Sequence, residues 1–200
     1  MAFKFQNGLQ KDSPIVFNLL VINVLAYLAQ VLVKPVTEWG ALHYYKSSLF
    51  YPHQLITNMF LHDPRGLTHL IFNMFALWMF GTVLERFLGS KRFLLFYLIC
   101  GVGAGIVIQL SIPFSADQFA KSAEAFSNGN DVFQNVEAYK QQYSAIGASG
   151  AIMGVLAAYA YLFPNTEMYV MFIPIPIKAK IVIPLFYFGI KQTEKHFIKT

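Results

Sequence analysis

Apolar residues gather in four long runs, each near twenty residues, and the segments between them collect charge, proline and aromatic side chains. A run of that length, rising 1.5 Å per residue as a helix, spans a bilayer core about 30 Å thick. The first run, 15–33, follows a polar opening over 1–14. It starts at Asp12-Ser13-Pro14, which predicts a capping side chain ahead of a proline that needs no N–H partner. It lies too far from the start, and lacks the small-residue cleavage site, to read as a removable signal peptide. The second run, 67–88, and the third, 92–112, are joined by the tight basic turn Gly89-Ser90-Lys91-Arg92, which predicts antiparallel neighbours. The fourth, 145–163, stops at Pro164-Asn165.

A fifth candidate, 169–190, contains Pro174 and Pro176, then Lys178 and Lys180, and leaves only Ile181 to Ile190 uninterrupted. Either its helix begins earlier, through the prolines, or the span is short. Between spans, 34–66 carries Pro35, Pro52, Pro64 and the aromatics Tyr44, Tyr45, Phe50 and Tyr51. It is expected to lie along the membrane surface as short amphipathic pieces. Residues 113–143 read as an aqueous polar loop with helical pieces within it, and 191–200 as an atypical charged tail. The expected fold is an all-α polytopic membrane protein.

Composition agrees: 56% hydrophobic, 12% charged and a mean hydropathy of +0.48 leave more apolar surface than a soluble domain of 200 residues covers. The net charge of +5 comes from scattered lysines and arginines. That spacing excludes a nucleic-acid module and suits basic loops beside anionic lipid. With the N-terminus in the cytoplasm, 7 basic residues fall inside and 8 outside. Leaving out the tail makes it 7 against 5, which favours a cytoplasmic N-terminus. Cys100 is the only cysteine, and His43, His53 and His62 lack zinc-motif spacing, so neither a metal nor another cofactor is expected.

Polar side chains inside the spans carry the candidate chemistry. His69, Asn73, Gly81 and Glu85 recur at multiples of four residues, on one slowly drifting helix face. His69 and Asn73 suit either interhelical hydrogen bonds or a donor-rich site, whereas Glu85 with Arg86 suits a structural ion pair near a helix end. In the fourth run Gly150 and Gly154 form a small-residue stripe, matched by Gly101 and Gly105 in the third. Ser149, between Gly147 and Gly150, sits where a helix start offers unpaired N–H groups to developing negative charge. A nucleophile and part of an oxyanion hole can share that position. It is not the Gly-x-Ser-x-Gly elbow of soluble hydrolases, since Gly150 follows the serine directly and no strand is predicted before it.

Taken together, His69-Leu70-Ile71-Phe72-Asn73, the Gly81…Glu85…Gly89 spacing and Gly147-Ala148-Ser149-Gly150 resemble the rhomboid family of intramembrane serine proteases over about residues 15 to 180. The resemblance implies a rhomboid-like helical bundle and a serine endopeptidase whose partners are transmembrane protein substrates and the lipid bilayer. Ser149 would be the nucleophile. Its backbone N–H with the His69 and Asn73 side chains would hold the oxyanion, Gly147, Gly150 and Gly154 would allow close packing, and Glu85 would tie the second span to its surroundings.

The family places its general-base histidine in a sixth span, in an Ala-His-x-x-Gly setting, and no such helix follows Ile190. His196 stands in the charged tail without glycine spacing and does not fit as a positioned base. The sequence therefore reads as five spans with the sixth absent, truncated or frame-altered near residues 184 to 190. Losing a helix that packs on the fourth span should also expose its Gly150 and Gly154 face to lipid. The alternative function is a catalytically inactive relative that binds transmembrane helices without cutting. A transporter would need ionisable residues at mid-membrane and an internal repeat, neither of which is visible.

Overall fold

A computed structural model describes residues 9–64, 66–124, 136, 140–169 and 176–181. Its first helix, α1 (Pro14–Leu32), is followed by the short α2 (Pro35–Gly40), strand β1 (Leu42–His43), α3 (Gln54–Thr57) and a 3₁₀ turn at Asn58–Phe60. The second span is α4 (Leu67–Ala76), a π-helical turn at Leu77–Gly81 and α5 (Thr82–Leu88), running as one rod. Then come α6 (Ser90–Glu124), strand β2 (Ser144–Ala145), α7 (Ser149–Leu162) and the strand pair β3 (Glu167–Tyr169) and β4 (Pro176–Lys178). Among the described residues, three helical stretches are long and apolar enough to cross a membrane: Pro14–Leu32, Leu67–Leu88 and Ser90–Ala116.

The helices pack around Leu19, Leu77, Phe93, Val155 and Leu156, all buried. Outward stand Leu25, Leu28, Ile71, Leu95, Ile99 and Val107, all exposed, while Asn23, Gln30, Glu85 and Gln109 are buried. Apolar residues thus lie outside as well as in the core, and polar groups are tucked inside, as lipid in place of water requires.

Three boundaries differ from the sequence reading. The fourth span begins at Ser149, not 145, because Gly147 takes φ +144, a conformation that stops a helix, and the residues before it form β2. The segment 113–143 is not loop from its start: α6 continues through Pro113 to Glu124. Extending an existing helix needs no new nucleus, so a polar stretch that would not start one can still prolong it. The fifth candidate span, 169–190, does not open as helix, since Tyr169 is the strand partner of Pro176 and Met168 of Ile177. Proline cannot donate within a helix, and at the end of an edge strand it need not. Residues 182–200 lie outside the described residues.

The helix packing also corrects an expectation. The Gly150 and Gly154 face of α7 is not turned to lipid: it lies on α6, where a Cβ added to Gly150 would stand 2.5 Å from the Ala104 Cβ and one on Gly154 2.7 Å from the Cys100 Cβ. The stripe predicted from sequence is thus the seam between the third and fourth spans, with Cys100 as part of its packing.

Glu85 accounts for the start of α1. The sequence assigned that cap to Asp12-Ser13, but the Ser13 hydroxyl makes no cap bond and is buried without a partner. The Glu85 carboxylate instead accepts from the Ile15 N–H at 3.0 Å and the Val16 N–H at 2.8 Å, and also from the Ser90 hydroxyl at 2.7 Å. A negative group at a helix N-terminus satisfies donors that have no helical partner and complements the dipole. The same carboxylate therefore joins α1, α5 and α6 at one end of the bundle. Arg86 pairs with Asp12 rather than Glu85, at 3.8 Å on the surface.

Candidate active site

The opposite end of the bundle carries the candidate chemistry. The 34–66 segment has little regular structure, so its backbone needs other partners, and side-chain amides supply them. The Gln109 amide accepts from the Tyr45 N–H at 2.9 Å and donates to the His43 carbonyl at 2.6 Å. Gln54 accepts from the His43 and Tyr51 N–H groups and donates to the Leu49 carbonyl. Thus held, β1 pairs antiparallel with β2, Leu42 opposite Ala145 and His43 opposite Ser144. One turn further on, the Gly147 N–H donates to the Asn58 carbonyl at 2.9 Å. The segment leading into Ser149 is therefore fastened to the first loop at two points.

Ser149 opens α7 and is half-buried. The first bond inside that helix runs from the Ile152 N–H to the Ala148 carbonyl, 3.0 Å, so the N–H groups of Ser149, Gly150 and Ala151 precede the ladder. His69 comes from the first turn of α4 and is also half-buried. The two meet at Gly147: a Cβ built there would stand 3.3 Å from the Ser149 Oγ and 3.5 Å from His69 Cε1. Both the positive φ and this narrow space require glycine at 147. Asn73, one turn below His69, is buried, and its Nδ2 donates to the His69 carbonyl at 2.8 Å. The structure thus brings Ser149, His69 and Gly147 together and puts Asn73 next to His69 on the same helix. Gly81 is packed between Val16 and Phe93, and Gly89 ends α5 at φ +82. His196 lies outside the described residues.

Three residues outside the site set expected from the sequence adjoin this site: His62, Asn23 and Gln30. His62 is fully buried, and its Nε2 lies 2.9 Å from the Asn23 Oδ1. Gln30 accepts from the His62 N–H at 2.8 Å and donates to its carbonyl at 2.9 Å. The His62 and His69 rings meet edge to face at 5.5 Å. The available signal was Asn23 and Gln30 seven residues apart, two turns along one face of an otherwise apolar run.

Burial lowers the His62 pKa from 6.5 to about 4, and the neighbouring His69 adds to the effect. The unfolded chain takes up this proton near 6.5 and the folded chain near 4, so in between the unfolded state holds more protons. Stability should fall as pH drops through that window, by up to about 3 kcal/mol from this group. Unfolding midpoints in detergent measured from pH 7 to 4 should show the loss, and His62→Phe should remove that share of it. A wild-type chain with the same pH dependence as His62→Phe would contradict the assignment.

A bundle with polar groups inside, apolar groups outside and a serine at an inner helix start defines a multi-pass helical membrane protein with a candidate hydrolytic site. The rhomboid domain model matches residues 50–194, and the chain belongs to the rhomboid family. It is 35% identical over 133 residues to the Rhomboid protease GluP of Bacillus subtilis (strain 168), covering 66% of this chain and 20% of that protein. It is 33% identical over 108 residues to Rhomboid protein 1, mitochondrial, of Saccharomyces cerevisiae, covering 54% and 25% respectively. With the Rhomboid protease AarA of Providencia stuartii it shares 34% over 103 residues, 50% of this chain and 31% of that one. The matched segments thus span about a third or less of these relatives' lengths. No solved structure matches the chain.

Proposed function

We propose that the chain acts as an intramembrane serine endopeptidase on transmembrane segments of other membrane proteins. In this reading the Ser149 Oγ attacks a substrate carbonyl. The Ser149 N–H with the His69 and Asn73 side chains receives the oxyanion, in a setting where little water competes. The observation that carries it is the meeting of the Ser149 Oγ and the His69 ring at Gly147, at the start of α7. The proton acceptor for Ser149 is assigned to no described residue. We place the N-terminus in the cytoplasm, because the end of the bundle where Glu85 caps α1 also carries Arg86, Lys91 and Arg92. Ser149 and His69 then lie toward the opposite membrane face.

A second reading is a catalytically inactive rhomboid relative that binds transmembrane helices, favoured by the setting of His196, which stands among charged residues without glycine spacing. Fluorophosphonate labelling of the purified chain in detergent separates the two. Labelling is expected to vanish in Ser149→Ala and to fall roughly 100-fold in His69→Ala, the cost of one oxyanion donor. A folded wild-type chain that takes no label would decide for the inactive reading.

A further inference from the structure

We propose that His62, held by Asn23 and Gln30 of α1, is a positioning residue that fixes the orientation of the His69 ring. This rests on the role assigned above to His69 and Ser149. The Asn23 amide is oriented by its own helix: its Nδ2 donates to the Leu19 carbonyl at 2.7 Å, which turns Oδ1 toward His62. An amide oxygen only accepts, so the His62 Nε2 carries the proton and Nδ1 is left bare. That Nδ1 is buried and without a hydrogen-bond partner.

The ring is therefore held at its Nε2 tip by Asn23 and at its backbone on both sides by Gln30, all from one helix. The two imidazole rings then meet at 65° and 5.5 Å, within the range of a favourable edge-to-face pair. A purely space-filling role would be served better by an apolar side chain, since burying an imidazole in full costs free energy unless its polar atoms are used. Here one nitrogen is used and the ring stands fixed against His69, whose Cε1 borders Gly147 beside the Ser149 Oγ. Span 1 thereby reaches the candidate site without contributing a residue to it.

The test uses the full chain in detergent with nitrogen-15 and carbon-13 labelled histidine. Wild-type His62 is expected in the Nε2–H tautomer; the Nδ1–H tautomer would overturn the proposal. Asn23→Leu removes the bond to Nε2, and His62→Phe keeps a ring but no donor. Each is expected to shift or broaden the His69 ring signals and to slow Ser149-dependent fluorophosphonate labelling roughly tenfold to a hundredfold. Asn23→Ser, which keeps a hydroxyl acceptor, should recover part of both and serves in place of a leucine variant that fails to fold. Unchanged His69 signals in folded Asn23→Leu and His62→Phe chains would refute positioning. If the wild-type chain takes no label while its His69 signals respond to these variants, the positioning holds and the protease reading is what fails.

Discussion

Glu85→Ala is expected to lower stability by about 3 to 6 kcal/mol, enough to unfold much of the chain in detergent near room temperature. The size follows from the count of groups left behind. Glu85 is 2% exposed and accepts three hydrogen bonds, two of them from the first turn of α1 and one from the Ser90 hydroxyl. Bonds to a charged acceptor are worth about 1.5 to 3 kcal/mol each, and a buried N–H left without a partner costs about as much. Alanine removes the acceptors and leaves the Ile15 and Val16 donors where water is scarce. Glu85→Gln keeps one acceptor oxygen and should recover roughly half of the loss, with an NH₂ group now facing one of the N–H donors. Arg86→Ala is the control: its contact with Asp12 is 3.8 Å long, and both side chains are more than half exposed. Surface pairs of that kind contribute between 0 and about 1 kcal/mol. Denaturation midpoints of the three variants measure the ranking, and an alanine variant that melts with wild type would refute the cap.

That cap also shows where sequence reading reaches its limit. The four long apolar runs state the solvent of the fold directly, because no aqueous domain accommodates so much apolar length. Glu85, by contrast, lies 70 and 69 residues from the N–H groups it satisfies, and a local rule assigns the task to Ser13, two and three positions away. The same limit appears at Ser149. Its place at a helix start was legible from the flanking glycines, but the β2 pairing that sets the helix start was not. Its partner strand lies a hundred residues back, held by the amides of Gln54 and Gln109. The seam between α6 and α7 was half legible: the Gly150 and Gly154 stripe stood in the sequence, but it packs on Ala104 and Cys100, whereas Gly101 faces chiefly Met59 and Gly105 faces Leu42 and Leu55. His62 was read solely against zinc spacing, because its meaning depends on Asn23 and His69, residues on two different helices.

At that seam, Gly150→Ala is expected to cost about 1 to 3 kcal/mol of stability and to slow labelling of Ser149 roughly 100-fold. Its Cβ would stand 2.5 Å from the Ala104 Cβ, whereas carbon atoms in contact settle near 3.5 to 4.0 Å. The backbone of α7 must therefore move by about 1 Å or rotate, and the residue directly before the disturbed position is the proposed nucleophile. Ala104→Gly removes the opposing methyl group. By itself it should destabilise slightly, as glycine does inside a helix, yet combined with Gly150→Ala it should restore both stability and labelling. Gly154→Ala supplies the contrast. It meets Cys100 across the same seam, but one turn and more further along α7, roughly 7.5 Å from Ser149. It should cost comparable stability and slow the labelling far less. If Gly150→Ala and Gly154→Ala slow labelling equally at matched folded fractions, the rate would follow helix packing as a whole. If only Gly150→Ala slows it, and Ala104→Gly repairs it, the close approach of the two helices at that position is what holds Ser149 in register with His69.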